Sequence, residues 1–149
     1  MTIYFYSTTD KYGCFSNFSR HAFGLDNNYW KTSEHYFQAQ KFAGTAYEET
    51  IRRAETPKKA ASLGRSRRFP LRSDWEDVKD EVMRRAVLQK FQTHADIRET
   101  LLSTGDEEIV EASPYDYYWG AGQDDSGKNM LGIILMEIRE ILRTEQDNC

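Results

Sequence analysis

Long hydrophobic runs, cysteines and prolines are scarce in this chain of 149 residues. No stretch approaches the roughly 18 consecutive apolar residues that a transmembrane helix needs, so we expect no membrane partner. Residues 1–6 lack the basic start and the long apolar stretch of a signal peptide, which favours a cytoplasmic location. The two cysteines, Cys14 and Cys149, form no Cys-x-x-Cys pattern, and we expect both to be incidental thiols in a reducing compartment.

Neither sign of charge dominates, because 20 basic residues stand against 24 acidic ones, for a net charge of −4. This balance disfavours the coating of nucleic acid over a broad surface, although a local basic patch stays open. Aromatic side chains, by contrast, are abundant, with 9 Tyr, 8 Phe and 3 Trp. Several stand beside Asn, Asp, Ser or Glu, as they do in sites that stack a planar ligand.

Caps and hydrophobic spacing predict a β-like first third and a helical remainder. The predicted strands cover 3–6, 22–25, 29–31 and 109–112; the predicted helices cover about 33–43, 46–55, 57–64 with Gly64 as its stop, 95–103 and 129–143, and another runs from a capping box at 73–76 to about 92. Residues 113–128 are predicted to form an irregular loop and 144–149 a polar tail. We therefore expect an α+β fold, a single, mostly helical domain of about six helices packed around a small β-sheet spanning 1–149.

The first segment that could carry chemistry is the helix predicted after Thr32. Glu34 falls in its first turn, where the helix dipole favours a charged carboxylate, and Gln38 and Lys41 follow on the same face. A carboxylate beside such a polar stripe suits the stabilisation of a developing cation or the activation of water. An ordinary stabilising first-turn acid on a surface helix is the alternative. His35 has no neighbour at a metal-ligand spacing, so we expect no metal here.

The second segment is a basic stretch from residue 58 to residue 72. Its arginines include Arg65, which stands where a helix ends and a loop begins. Arginines in such a place could clamp a phosphate through two parallel hydrogen bonds. The alternative is a solvated charged loop, since the surrounding chain is equally rich in charge.

The third segment, residues 113–129, contains an incomplete phosphate-binding loop. Gly127-Lys128 is followed by Asn129 where magnesium-binding loops have Ser or Thr, and too few residues follow for a nucleotide hydrolase. Asp116 and Trp119 put an acid and a large flat ring in the same glycine-rich loop, as many sites do. A tryptophan that merely anchors the loop is the alternative.

Two separated acids, stacking surfaces and arginines together fit the hydrolysis of a bond between a sugar and a nitrogen base. Its transition state has oxocarbenium character, which a carboxylate stabilises or captures covalently. Binding modules use the same residue types, so this pattern alone leaves both classes open.

Seven motifs in chain order resemble the NADAR/YbiA-like N-glycosidase family, from about residue 4 to residue 142. They are Phe15-Ser16-Asn17-Phe18, Trp30-x-x-Ser33-Glu34-His35-Tyr36-Phe37-Gln38-Ala39-Gln40-Lys41-Phe42, Gly64-Arg65, Trp75 through Met83, Lys90-Phe91, Asp116-x-x-Trp119-Gly120 and Gly127-x-Asn129-x-Leu131-Gly132. The resemblance implies an α+β fold and a glycosidase without a cofactor. By similarity, the catalytic residues are Glu34 and, second, Asp116, and the substrate-binding residues are Trp75, Trp119, Asn129, Arg65, Gln38 and Asn17.

The resemblance also implies a reaction. Bacterial members hydrolyse the N-glycosidic bond of early riboflavin-pathway intermediates, ribosylamino-pyrimidine phosphates, and release ribose 5-phosphate and a free base. We therefore expect a small, phosphorylated N-glycoside as partner. One alternative is an ADP-ribosyl-guanine hydrolase acting on nucleic acid, as in other branches of the family. The other is a non-catalytic module that binds ADP-ribose or a related nucleotide. The sequence leaves the oligomeric state open.

Overall fold

The computed structural model describes residues 1–148, so the expectation for the Cys149 thiol lies outside the described residues. The six α-helices of this range are α1 (Ser33–Gln40), α2 (Ala46–Arg52), α3 (Pro57–Arg65), α4 (Trp75–Thr93), α5 (Ala95–Ser103) and α6 (Met130–Asp147). The strands are β1 (Ile3–Phe5), β2 (Phe23–Leu25), β3 (Asn28–Trp30) and β4 (Ile109–Glu111), and one turn of 3-10 helix covers Gly13–Phe15. None of these helices is long and apolar enough to cross a bilayer.

The predicted α+β class with about six helices is confirmed. The β structure consists of two strand pairs, β1 with β4 in parallel and β2 with β3 in antiparallel orientation. The chain forms two compact units, one built from 17–90 and the other from 1–16 together with the residues from 91 onward.

The unit 17–90 opens with the predicted hairpin. Asp26 and Asn27 both adopt positive φ, 55° and 64°, which is the conformation that a two-residue hairpin turn requires. The Asp26 carboxylate accepts hydrogen bonds from the Tyr36 hydroxyl at 2.7 Å and from the Arg85 guanidinium at 2.6 Å. The turn is thereby fastened to α1 and α4.

Helices α1, α2 and α3 pack on one another in this unit. Thr32 and Thr56 cap α1 and α3 as predicted, each accepting a hydrogen bond from the amide three residues later. Helix α1 ends at Gln40 and α2 at Arg52, three residues earlier than predicted in each case. The prediction that Gly64 ends α3 is wrong, because the helix continues through Gly64 to Arg65.

His35 is a fully buried histidine of α1. Its Nδ1 lies 2.8 Å from the Thr32 hydroxyl and its Nε2 lies 3.0 Å from the Ala54 carbonyl. Both ring nitrogens therefore serve to hold α1 against the segment after α2. Burial lowers the pKa of His35, which keeps the ring neutral at physiological pH.

In the other unit, α6 packs against β4 and α5 packs against α6. The buried face of α6 is the apolar one that its sequence predicts, including Leu131, Leu135 and Ile138. The helix continues to Asp147, so residues 144–147 extend it as exposed polar turns. Gly105 follows α5 with a φ of 62°, as expected for a helix stop.

Candidate active site

The predicted site residues divide between the two units. Five of them, Asn17, Glu34, Gln38, Arg65 and Trp75, belong to 17–90, and the other three, Asp116, Trp119 and Asn129, follow residue 91. Within 17–90 they gather on and around α1.

Glu34 and Gln38 form a buried pair on α1. Only 9% of Glu34 and 6% of Gln38 is exposed, and Gln38 Nε2 donates a 2.8 Å hydrogen bond to Glu34 Oε2. The part of the alternative that places these residues on a surface helix is therefore wrong, although Glu34 does stand in the first turn of α1. Burying a carboxylate is costly unless it is hydrogen-bonded, and a catalytic role for Glu34 stays a prediction.

The other end of the Gln38 amide is unsatisfied. Gln38 Oε1 is buried and has no hydrogen-bond partner within residues 1–148. An acceptor left in this state costs on the order of 1–3 kcal/mol, and such groups usually have a functional explanation. Gly64 of α3 is packed directly against this oxygen.

Asn17 supports the start of α1. Its backbone carbonyl accepts from the Glu34 amide at 3.2 Å, and its side-chain Oδ1 accepts from the Ser33 hydroxyl at 2.8 Å. Its Nδ2 lies 3.4 Å from the sulfur of Met83 on α4. These contacts fix the residue that carries the carboxylate, and a direct contact of Asn17 with substrate stays a prediction.

Lys41, whose special environment sequence reasoning missed, ends the same face of α1. It is 8% exposed, and its ammonium lies 5.6 Å from the ring centre of Phe37 and 6.0 Å from that of Trp75. Burial, reinforced by the positive charges of Arg67, Arg65 and Lys79 and opposed by Glu34, lowers its pKa to about 8. The polar spacing was visible in the sequence, but nothing local marked this lysine as buried.

Trp75 is buried beside the Lys41 ammonium, so its ring is not an open stacking surface. It is 5% exposed and packs edge-on against Phe37, with ring centres 5.1 Å apart. Cation–aromatic contacts of this kind stabilise a desolvated ammonium. Stacking of a substrate base on Trp75 stays a prediction.

The arginines of the basic stretch differ in their surroundings: Arg72 is paired with an acid, whereas Arg65 and Arg67 are exposed. Arg72 is held by Asp74, with nitrogen–oxygen distances of 2.6 and 3.1 Å. Arg67 donates to the carbonyls of Gly64 and Ser66, and Arg65 is exposed at the end of α3. Arg65 and Arg67 therefore keep their charge for an anion, and both act electrostatically on Lys41.

Asp116 organises the loop of the other unit. Its Oδ1 accepts hydrogen bonds from the amides of Tyr118 at 3.0 Å and Trp119 at 2.8 Å. Trp119 is partly exposed and packs edge-on against Tyr118. Asp116 thus positions Trp119, and the partial exposure of that ring is compatible with the predicted stacking role.

Asn129 makes structural contacts in the same unit. Its Oδ1 accepts from the Glu111 amide and its Nδ2 donates to the Ile109 carbonyl, each at 2.9 Å. Its backbone adopts positive φ, 53°, directly before α6. The amide thereby joins the start of α6 to β4, and donation to a leaving base stays a prediction.

A family model for the NADAR domain matches residues 4–143. The chain belongs to the NADAR family. An N-glycosidase of Nostoc punctiforme is 55% identical over 146 residues, covering 96% of this chain and 94% of that protein. N-glycosidase YbiA of Escherichia coli is 51% identical, and its NMR structure matches with a TM-score of 0.90 over 97% of this chain and 86% of the other.

A NADAR relative from maize carries a different name. It is the chloroplastic riboflavin biosynthesis protein PYRR of Zea mays, 44% identical over 158 residues. The match covers 95% of this chain but 25% of the maize protein, so the maize name describes a much longer chain.

Proposed function

We propose that this NADAR protein is an N-glycosidase that hydrolyses ribosylamino-pyrimidine phosphates, early intermediates of riboflavin synthesis, to ribose 5-phosphate and a free base. Relatives that share at least half of its residues over nearly their whole length bear the name N-glycosidase, which supports a hydrolase acting on N-glycosyl compounds. The observation that carries the proposal is the buried Glu34 carboxylate, held by Gln38 on a helix that ends in a cluster of cations.

The chemistry follows from the charge that develops on the sugar. As the bond from C1′ to nitrogen breaks, both electrons leave with the base, and the ribosyl group gains oxocarbenium character. A fixed carboxylate in a site of low dielectric stabilises that cation without reorganisation. Water then adds to C1′ and gives up a proton, and the base nitrogen takes up a proton. Glu34 is the group proposed to face C1′.

The cations account for a phosphate on the substrate. Lys41 is surrounded by positive neighbours that disfavour its own charge, and a phosphate placed among them would relieve this repulsion. The guanidinium groups of Arg65 and Arg67 suit two-point binding of phosphate oxygens. We assign the 5′-phosphate to this cluster.

The pyrimidine substrate and its metabolic setting belong to the same proposal. A relative named for riboflavin synthesis supports an intermediate of that route. Aminopyrimidine ribosides with a free amine are reactive, so their hydrolysis would remove damaging compounds in the cytoplasm where they arise. The roles proposed for Asp116 as second acid and Trp119 as stacking surface rest on the resemblance.

The test is a chromatographic assay of the purified protein with two substrates in parallel. The first is the ribosylamino-pyrimidine phosphate and the second an oligonucleotide carrying ADP-ribose on guanine. We expect ribose 5-phosphate and free base from the first. Release of ADP-ribose from the oligonucleotide, with no ribose 5-phosphate from the pyrimidine, would reject the proposed substrate while retaining an N-glycosidase.

One observation favours the oligonucleotide as a second candidate. Phe69 is 40% exposed, and its ring centre lies 4.6 Å from that of Tyr47. The Arg68 guanidinium lies 5.7 Å from the Phe69 ring centre. An aromatic surface beside arginine is typical of single-stranded nucleic-acid binding. Activity on the oligonucleotide should then fall steeply with added salt, because phosphate contacts release counterions.

The proposed role of Lys41 sets a pH dependence. Between pH 7 and pH 9 the ammonium, with its pKa of about 8, loses its charge while the substrate phosphate stays dianionic. We expect kcat/KM for the phosphorylated substrate to fall by about tenfold over this range, as one group of that pKa deprotonates in the free enzyme. Steady-state kinetics at constant ionic strength measures it.

Two lysine variants separate this effect from general alkaline loss. Lys41→Met keeps the length of the side chain without its charge, and its kcat/KM should be low at pH 7 and level up to pH 9. Lys59→Met removes an exposed lysine of α3 and should keep the wild-type profile. A Lys41→Met profile that falls like the wild type would remove Lys41 from phosphate binding.

A further inference from the structure

We propose that Gly64 is a positioning residue, because the space left by its missing side chain seats Gln38 Oε1 and turns the Gln38 amide toward Glu34. This deepens the proposed function and rests on it in one respect, that Glu34 is the acting carboxylate. In this proposal Gly64 acts through Gln38 alone.

The fit between Gly64 and Gln38 is tight. A Cβ built on Gly64 would lie 2.0 Å from Gln38 Oε1, 2.6 Å from Cδ and 2.8 Å from Cβ of the same residue. These three atoms run from the stem to the tip of the side chain, so rotation of the tip alone would not clear the clash. Gly64 lies within helix α3, and its required feature is therefore the absence of a side chain rather than a special backbone conformation.

The carboxylate decides which end of the amide it meets, and the seat decides where the amide lies. A glutamine amide has a donor end and an acceptor end, and an ionised carboxylate only accepts. With Oε1 lodged against Gly64, Nε2 is left to donate to Glu34 Oε2 at 2.8 Å. The buried Oε1 has no protein partner within residues 1–148, and it packs directly against Gly64.

A side chain at position 64 should therefore act on catalysis through Gln38. Gly64→Ala would displace the Gln38 amide, so that Glu34 loses one of the contacts that hold its carboxylate in place. We expect kcat to fall by roughly tenfold or more, since hydrogen bonds to charged groups are among the stronger ones. KM should change less, because the substitution removes none of the cations that are proposed to bind the phosphate.

The experiment is a double-mutant cycle of the wild type, Gly64→Ala, Gln38→Ala and Gly64→Ala/Gln38→Ala. Gln38→Ala should lower kcat by itself, and adding Gly64→Ala to it should cost much less than in the wild type, because Oε1 and Cδ are gone and only the Cβ of residue 38, at 2.8 Å, still meets the new side chain. Gly24→Ala is the matched control, since its new Cβ would have only one neighbour, a backbone oxygen at 3.8 Å. Additive losses in the double variant, or a Gly64→Ala enzyme with the wild-type kcat, would overturn the proposal.

A second readout does not depend on activity. In the wild type the Gln38 side-chain amide protons, buried and bonded to a carboxylate, should exchange slowly with solvent by NMR, and in Gly64→Ala they should exchange rapidly. If the wild type hydrolyses no N-glycoside, the proposed function fails while this readout still decides the role of Gly64. Should Gly64→Ala fail to fold, a folded double variant supports the seat and an unfolded one overturns it.

Discussion

Replacing Glu34 with glutamine is expected to abolish turnover while leaving the fold and the binding of product intact. The substitution keeps the shape of the side chain but removes the negative charge that would stabilise the ribosyl cation. Loss of one such preorganised electrostatic group lowers kcat on the order of 10³-fold, and loss of a nucleophile lowers it further. Single-turnover assays measure the chemical step, and calorimetry with ribose 5-phosphate measures binding.

The matched control for this variant is Glu55→Gln. Glu55 is an exposed acid of the same unit, so the substitution removes the same charge away from the proposed site. We expect its kcat to equal that of the wild type. A Glu34→Gln enzyme that retains the wild-type kcat would reject Glu34 as the acting carboxylate and direct attention to Asp116.

The spacing of Glu34, Gln38 and Lys41 predicted a shared helix face correctly, but the sequence did not predict that this face is buried. Three polar residues at helical spacing are typical of a solvated stripe. Their burial depends on α3 and the start of α4, which are distant along the chain and pack around α1 through Gly64 and Trp75. Local periodicity carries no information on such contacts.

Gly64 and Asn129 are two further residues whose contacts the sequence did not predict. A glycine at the end of a periodic segment indicates a helix stop. In the structure, Gly64 instead lies so close to Gln38 of α1 that a side chain at position 64 would clash. For Asn129, the resemblance to the family predicts contact with a substrate. In the structure its amide bonds the backbone of β4, because the turn before α6 leaves that strand with unpaired groups.

The glycine-rich segment after Trp119 serves mainly to shape the loop. The loop is closed by backbone hydrogen bonds, among them Asn129 to Gly120 at 3.0 Å and Leu131 to Trp119 at 3.0 Å. A Cβ on Gly127 would lie 2.4 Å from the carbonyl oxygen of Gly120. Close approach of backbone to backbone explains Gly127 without a bound phosphate.

Gly132→Ala is expected to destabilise the protein strongly, against the trend for a glycine inside a helix. Helix propensity alone would have alanine stabilise α6 by about 1 kcal/mol. In the structure a Cβ on Gly132 would lie 2.2 Å from the Ile109 carbonyl oxygen and 2.4 Å from Asn129 Nδ2. The carbonyl belongs to β4 and cannot move without disturbing its pairing with β1.

We expect a loss of about 3 kcal/mol or more in the free energy of unfolding, as for other overpacked sites, and a melting temperature lower by roughly 10 °C. Thermal and urea denaturation followed by circular dichroism measure both, with Gly24→Ala as the near-neutral control. The sign of the change in stability distinguishes helix propensity from packing. Stabilisation by Gly132→Ala would mean that helix propensity outweighs the clash and that α6 does not pack closely on the Ile109 carbonyl. Destabilisation would mean that Gly132 is needed for the close contact of α6 with β4.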